Sequence, residues 1–101
     1  LSSIAKSLIF KARPDGLCIS ASAAGEEVNS DLMGSVKDVA TDVAVICNTG
    51  VRFDTVIEKL KYSDAAIVGT TFKYDGNLYN MVDNKRVKEL MDKVKEYRKT
   101  L

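Results

Sequence analysis

The chain of 101 residues contains no histidine. Its absence removes the usual base that activates a serine or cysteine nucleophile, and with it the imidazole ligand of most zinc sites. Cysteine is scarce as well: Cys18 and Cys47 each sit inside an apolar run. There they read as small buried side chains in a reducing, cytosolic setting, not as a metal pair. Neither charge sign dominates, since 15 Lys and Arg face 14 Asp and Glu for a net charge of +1. No large field therefore draws the chain to nucleic acid or to an acidic membrane surface. No apolar run approaches the length that spans a bilayer, so membrane insertion is not expected. With one proline, six glycines and a hydrophobic fraction of 46%, the composition is that of a single ordinary globular domain over residues 1–101. Leu1-Ser2-Ser3 opens directly into an amphipathic pattern, which does not read as a signal peptide, and no methionine precedes it. The expectation is that residues were removed or that the chain is a piece of something longer.

What is present is a regular alternation. Leu1, Ile4, Ala5, Leu8 and Ile9 recur at helical spacing, and Arg13-Pro14-Asp15-Gly16 stops that helix. Gly16 to Ser20 reads as a buried strand that passes into the small residues Ala21-Ser22-Ala23-Ala24-Gly25. Asn29 or Ser30 caps a second helix with Leu32, Met33, Val36 and Ala40 on one face, and Asp31 suits its positive end. Val43 to Cys47 is the second strand. Asp54 is the expected cap of a third helix with Val56, Ile57 and Leu60 inward, and Ala65 to Val68 is the third strand. A last helix from about Asn84 carries Val87, Leu90, Met91, Val94 and Leu101 as its apolar stripe. The basic stretch from Lys93 to Lys99 reads as its solvated face.

Strands without internal polar alternation, separated by helices, predict βαβ units in a parallel sheet buried on both faces. Three parallel strands with exposed edges make a weak domain, whereas the same unit repeated closes a (β/α)₈ barrel. The fold expected is thus α/β, the carboxyl-terminal three βα units of a (β/α)₈ TIM barrel. A small open α/β sandwich or a flavodoxin-like piece fits the same pattern.

Each strand ends in small or hydroxyl residues: Ser20 to Gly25, Asn48-Thr49-Gly50 and Gly69-Thr70-Thr71. In parallel α/β folds, ligands bind beyond the carboxyl ends of the strands. Exposed N–H groups in such turns, together with a following helix dipole, hold phosphate. Asn48, Thr49, Gly50, Val51, Gly69, Thr70 and Thr71 are therefore the candidate phosphate-binding residues, with Ser20, Ser22, Arg52 and Lys73 close to the ligand. A tight connection that needs glycine for its backbone angles explains each turn equally well on its own.

The other groups carry less. Glu26-Glu27 as acid and base competes with the plainer reading of two solvated charges. Cys47, lacking any histidine partner, reads as a core thiol. Tyr74-Asp75-Gly76-Asn77 reads as a turn within a loop from Phe72 to Met81 that is long enough to lean over a ligand. Neither a metal nor a cofactor is expected.

The run from Asp15 to Gly25, then Asn48-Thr49-Gly50-Val51, then Ser63 to Gly76 with its IVGTTFKYDG, then Asn80-Met81-Val82-Asp83-Asn84-Lys85-Arg86-Val87, resembles the BtpA family, which includes SgcQ-like proteins. The resemblance spans about residues 12–95. It implies a TIM barrel related to phosphoribosylanthranilate isomerase and the tryptophan synthase alpha chain, with these strands as its sixth, seventh and eighth. It also implies phosphate-cup roles for the backbones of Thr49-Gly50-Val51 and Gly69-Thr70-Thr71, and a phosphosugar-related isomerase or lyase as one possible activity. The family is named for a role in photosystem I accumulation, and other members accompany sugar-utilisation genes; a non-catalytic assembly or stability factor, or a half-barrel that pairs with its own copy, is the alternative. Where the family usually has Gly-Ser-Gly followed by Thr-Pro-Glu-Asn, this chain has Asn48-Thr49-Gly50 and then Val51-Arg52-Phe53-Asp54-Thr55. Asn48 brings a Cβ where glycine lets an anion approach; either Arg52 compensates with its charge, or the site is altered or lost. No catalytic residue is assigned.

Overall fold

The computed structural model describes residues 1–23 and 25–101, and Ala24 in the loop after the first strand lies outside them. Helices α1 (Ser2–Ala12), α2 (Ser30–Val39), α3 (Val56–Lys61) and α4 (Asn84–Arg98) alternate with strands β1 (Gly16–Ile19), β2 (Ala44–Cys47) and β3 (Ala65–Ala66). The strands form one parallel sheet in the order β1-β2-β3. Gly16 lies opposite Ala44 and Ile19 opposite Cys47, and Ile46 and Cys47 pair in turn with Ala65 and Ala66. The α/β architecture expected from the alternation is therefore present, with successive strands adjacent in space. The third strand is shorter than Ala65 to Val68, because only Ala65 and Ala66 pair with β2.

Period-two alternation sends Leu17, Ile19, Val45, Cys47, Ala66 and Val68 to one face. All of these join a single core with Ala5 of α1, Met33 and Val36 of α2, Val56 of α3, and Leu90 and Val94 of α4. Every helix thus covers the same side of the sheet, and full burial of a side chain such as Met33 or Leu90 contributes on the order of 1.5–3 kcal/mol. On the opposite face Cys18, Ala44 and Ala65 are exposed, and Ile67 is 50% exposed. This corrects two expectations: the sheet is covered on one face only, and Cys18 is exposed while Cys47 is buried.

The helix ends explain other differences. Asn29 caps α2, its Oδ1 accepting from the N–H groups of Asp31 and Leu32 at 2.8 and 3.2 Å. Leu32 itself is exposed, because its position falls outside the stripe set by Met33 and Val36. Asp54 does not cap α3; Thr55 holds the cap position and the Asp54 carboxylate turns to Arg52 instead. Ala5 is the one buried residue of α1, whereas Leu1, Ile4, Leu8 and Phe10 are exposed. In α4, Leu90 and Val94 are buried as expected, but Leu101 lies beyond the helix end and is exposed. Lys93 is not free on a solvated face, since its Nζ donates to the Phe53 carbonyl at 2.6 Å. Among the described residues no helix is long and apolar enough to cross a membrane.

Candidate functional site

The two turns that leave β2 and β3 meet in one cleft. Its volume is ≈ 440 Å³, and Asn48, Thr49, Gly50, Val51, Gly69, Thr70 and Thr71 all line it. Arg52 lines it too, together with Gly25, Ile67, Gly76 and Arg86. Ser20, Ser22 and Lys73 do not. Ser20 Oγ accepts a 2.7 Å bond from Asn48 Nδ2, which ties the ends of β1 and β2 together. Ser22 is exposed, and the Lys73 carbonyl accepts from Arg86 Nη1 at 3.3 Å.

Local backbone chemistry shapes this cleft. Gly50 has φ +70, and a Cβ there would stand 2.4 Å from the Glu26 carbonyl group and Glu27 Cα. The turn after β2 therefore packs backbone against backbone with the loop after β1, a contact open only to glycine. Thr49 Oγ1 reinforces it by accepting from the Ala21 N–H at 2.8 Å. Beyond these contacts, the N–H groups of Thr49, Gly50, Gly69, Thr70 and Thr71 donate no hydrogen bond to another described residue. Donors without protein partners on a wall of small residues suit an anion.

The source of positive charge differs from the expected one. Helix α3 starts at Val56, well past the turn, and Gly69 is followed by a single 3₁₀ turn at Thr70–Phe72. Helix dipoles therefore contribute little at the cleft, and arginine side chains take their place. Arg52 is already partnered: its Nη2 lies 3.4 Å from Glu27 Oε2 and its Nε 3.4 Å from Asp54 Oδ1. Glu27 also receives Lys59 Nζ on Oε1 at 2.8 Å. Lys59 is 2% exposed and donates as well to the Val28 carbonyl at 2.7 Å and to Ser30 Oγ at 2.9 Å. The Lys59 hydrogen bond holds the Glu27 carboxyl below its ordinary range. Glu27 is exposed, as the reading of two solvated charges expects, but it also anchors a buried lysine. Glu26 is exposed and in no ion pair among the described residues.

Arg86 and Lys59 escaped the sequence reading. A signal existed for each. Val56, Lys59, Leu60 and Ser63 share one helical stripe, so the lysine interrupts an inward face; Arg86 belongs to the stretch N-x-VD-x-x-RV. Cys47 is buried, and burial pushes its thiol up, as a core thiol requires. No cluster of three His, Cys, Asp or Glu among the described residues has the arrangement to hold a metal ion. A larger cavity, ≈ 580 Å³, lies elsewhere, beside β3 and under α4, lined by Leu60, Ala66, Val68, Leu90, Val94 and Tyr97 among others. Its walls mix these apolar side chains with Lys37, Lys61, Asp64 and Arg98, and the turns after the strands do not reach it.

A parallel sheet of adjacent βα units, helices on one side and a small-residue cleft at the carboxyl ends of the strands, coincides with a family match along almost the whole chain. The profile of the BtpA family matches residues 1–96. The chain belongs to the BtpA family. It is 43% identical over 97 residues to the sgc region protein SgcQ of Escherichia coli (strain K12), covering 96% of this chain and 36% of that protein. An uncharacterized protein of Thermococcus kodakarensis is 35% identical over 86 residues, which are 85% of this chain and 33% of the relative. One from Methanocaldococcus jannaschii is 31% identical over 78 residues, 77% of this chain and 30% of its own length. The chain thus spans about a third of the length of these BtpA-family relatives. No solved structure matches it.

Proposed function

We infer that this BtpA-family chain supplies the last three βα units of a (β/α)₈ barrel and binds a phosphorylated small molecule at the turns after β2 and β3. The observation that carries the reading is the shared cleft, in which two glycine-containing turns from neighbouring strands present N–H groups that donate to no other described residue, beside arginine. Barrels commonly hold phosphate on the loops after their last two strands. Among the described residues the cleft lining contains no carboxylate, thiol or lysine. Binding is assigned here, and no reaction. The test is to titrate the protein with ribose 5-phosphate and with ribose while following backbone amide resonances. Shifts centred on Gly50, Gly69, Thr70 and Thr71 with the phosphate ester alone support the reading; equal responses to both sugars, or none, sink it.

A second observation favours the barrel half of this reading. The exposed face of Cys18, Ala44, Ala65 and Ile67 is apolar, and a cavity with Leu60, Ala66, Val68, Leu90 and Val94 in its walls lies along β3. Further βα units closing the barrel would cover both. A second copy of the chain, or a protein partner, is the competing occupant. The intact mass of the gene product from its source separates them: a typical barrel has about 250 residues, whereas a product of 11.1 kDa would leave self-association or a partner to cover the face.

A further inference from the structure

We propose that Arg86, and not Arg52, is the cation that recognises the phosphate, a step that rests on the binding reading above. The two arginines line the same cleft but differ in what they already hold. Arg52 is neutralised by Glu27 and Asp54, both within 3.4 Å. Drawing it to a ligand means breaking those pairs and leaving Glu27 to Lys59 alone. Arg86 is in no ion pair among the described residues, and its one hydrogen bond, from Nη1 to the Lys73 carbonyl, is long at 3.3 Å. A guanidinium carries five N–H donors, so most of its fork is unspent.

Arg86 lies in the first turn of α4, behind the Asp83 carboxylate that caps the helix, and on its other side borders a cleft shared with Asp75, Asp83 and Glu89, none of which pairs with it among the described residues. The Lys73 carbonyl orients the side chain: residues 73 and 82 form an antiparallel bridge that holds the loop closed, with Asp83 N–H on the Phe72 carbonyl at 2.7 Å. The guanidinium stands 3.8 Å from the Cβ position of Gly76, so a side chain there would touch it. Loop and helix start place this guanidinium in the cleft that Gly69, Thr70 and Thr71 also line, and a planar fork selects phosphate oxygens in pairs.

Inorganic phosphate titrated into the protein at its natural length, followed by backbone amide shifts at several ionic strengths, tests the assignment. R86Q should weaken phosphate at least about tenfold and flatten the dependence of affinity on salt, because a charged donor is lost. K85Q removes the same charge from the same helix end, where Lys85 pairs with Glu89 and does not line the cleft, and should change affinity less than about twofold. Affinity unchanged in R86Q, or a greater loss in R52Q than in R86Q, overturns the assignment of the cation while phosphate binding stands. A wild-type protein that does not respond to phosphate overturns both. Should R86Q lose its dispersed amide spectrum, R86K carries the test: a folded R86K that binds phosphate clearly more weakly supports the assignment, and a folded R86K with wild-type affinity and salt dependence overturns the role of the fork.

Discussion

Lys59 Nζ, almost fully shielded from water on α3, lies 2.8 Å from Glu27 Oε1 on the loop that follows β1. The pair fixes that loop across the start of α3, and Val28 and Ser30 complete the coordination of the ammonium. A buried ammonium is tolerated only while its donors are satisfied. E27Q removes the one anion touching it among the described residues and should destabilise the chain by about 1.5–3 kcal/mol, the scale of a hydrogen bond to a charged group, reduced toward the lower figure because Glu27 is 40% exposed. Urea unfolding at neutral pH measures it.

The same pair gives a pH dependence with a definite sign. Glu27 titrates lower in the folded chain than unfolded, chiefly through its hydrogen bond to Lys59. Its contribution is therefore fully present above the ordinary glutamate range and is lost as pH falls through the depressed folded value. Between pH 7 and pH 3 the stability difference between wild type and E27Q should shrink. A difference that stays constant over that range would show that the carboxylate charge is not what holds the lysine.

Gly50 and Gly69 look alike in sequence, each in a turn after a strand, yet they make different demands. Gly50 combines φ +70 with a Cβ position 2.4 Å from backbone atoms of Glu26 and Glu27, whereas a Cβ on Gly69 meets nothing within 4 Å. G50A should cost at least about 1–3 kcal/mol from backbone conformation alone, with the backbone clash added. G69A should stay within about 0.5 kcal/mol of wild type. Thermal unfolding of the two variants decides between a glycine that packs and one that does not, and equal effects would refute the distinction.

How far this was legible in the sequence depends on whether a residue's role is local. Asn29 as a cap, the helix stop at Arg13 and the two strands at Gly16 and Val43 follow from short patterns, and the structure bears them out within a residue. Arg13 even takes the left-handed conformation that ends a helix, at φ 49. Cys18 was misread because an apolar run shows that a strand is buried without showing on which face. Asp54 was misread because a nearby arginine outbid the helix N–H groups for its carboxylate. Arg86 and the cleft converge across 38 residues of chain from Asn48 to Arg86, a distance that no local pattern spans.

A contact between α4 and the segment before α3 gives another test. Lys93 Nζ donates to the Phe53 carbonyl at 2.6 Å and stands 4.2 Å from the centre of the Phe53 ring. Both interactions need a cation with donors, so K93M should lower stability by about 1–2 kcal/mol, combining a charged hydrogen bond with an exposed cation–π contact. F53L keeps the carbonyl and removes the ring, and should cost about 0.5–1 kcal/mol. Equal losses in the two variants would mean that the carbonyl bond contributes nothing.

The two cysteines report on the open face of the sheet. Cys18 is exposed there, and Cys47 is buried against the helices with its thiol pushed up by desolvation. Thiolate is the reactive species, so a maleimide at pH 7 should label Cys18 while Cys47 resists until the protein unfolds. Mass spectrometry after digestion assigns the labelled site. Within a closed barrel the same face becomes the interior, where the side chains of alternate strands fill the space. The reactivity of Cys18 in the natural gene product therefore distinguishes the two situations. Rapid labelling of Cys18 in that product would mean that the face is open in the working protein, and the barrel reading would fall; protection of both cysteines would mean that something covers β1 and β2, and the intact mass then says whether the cover is the same chain.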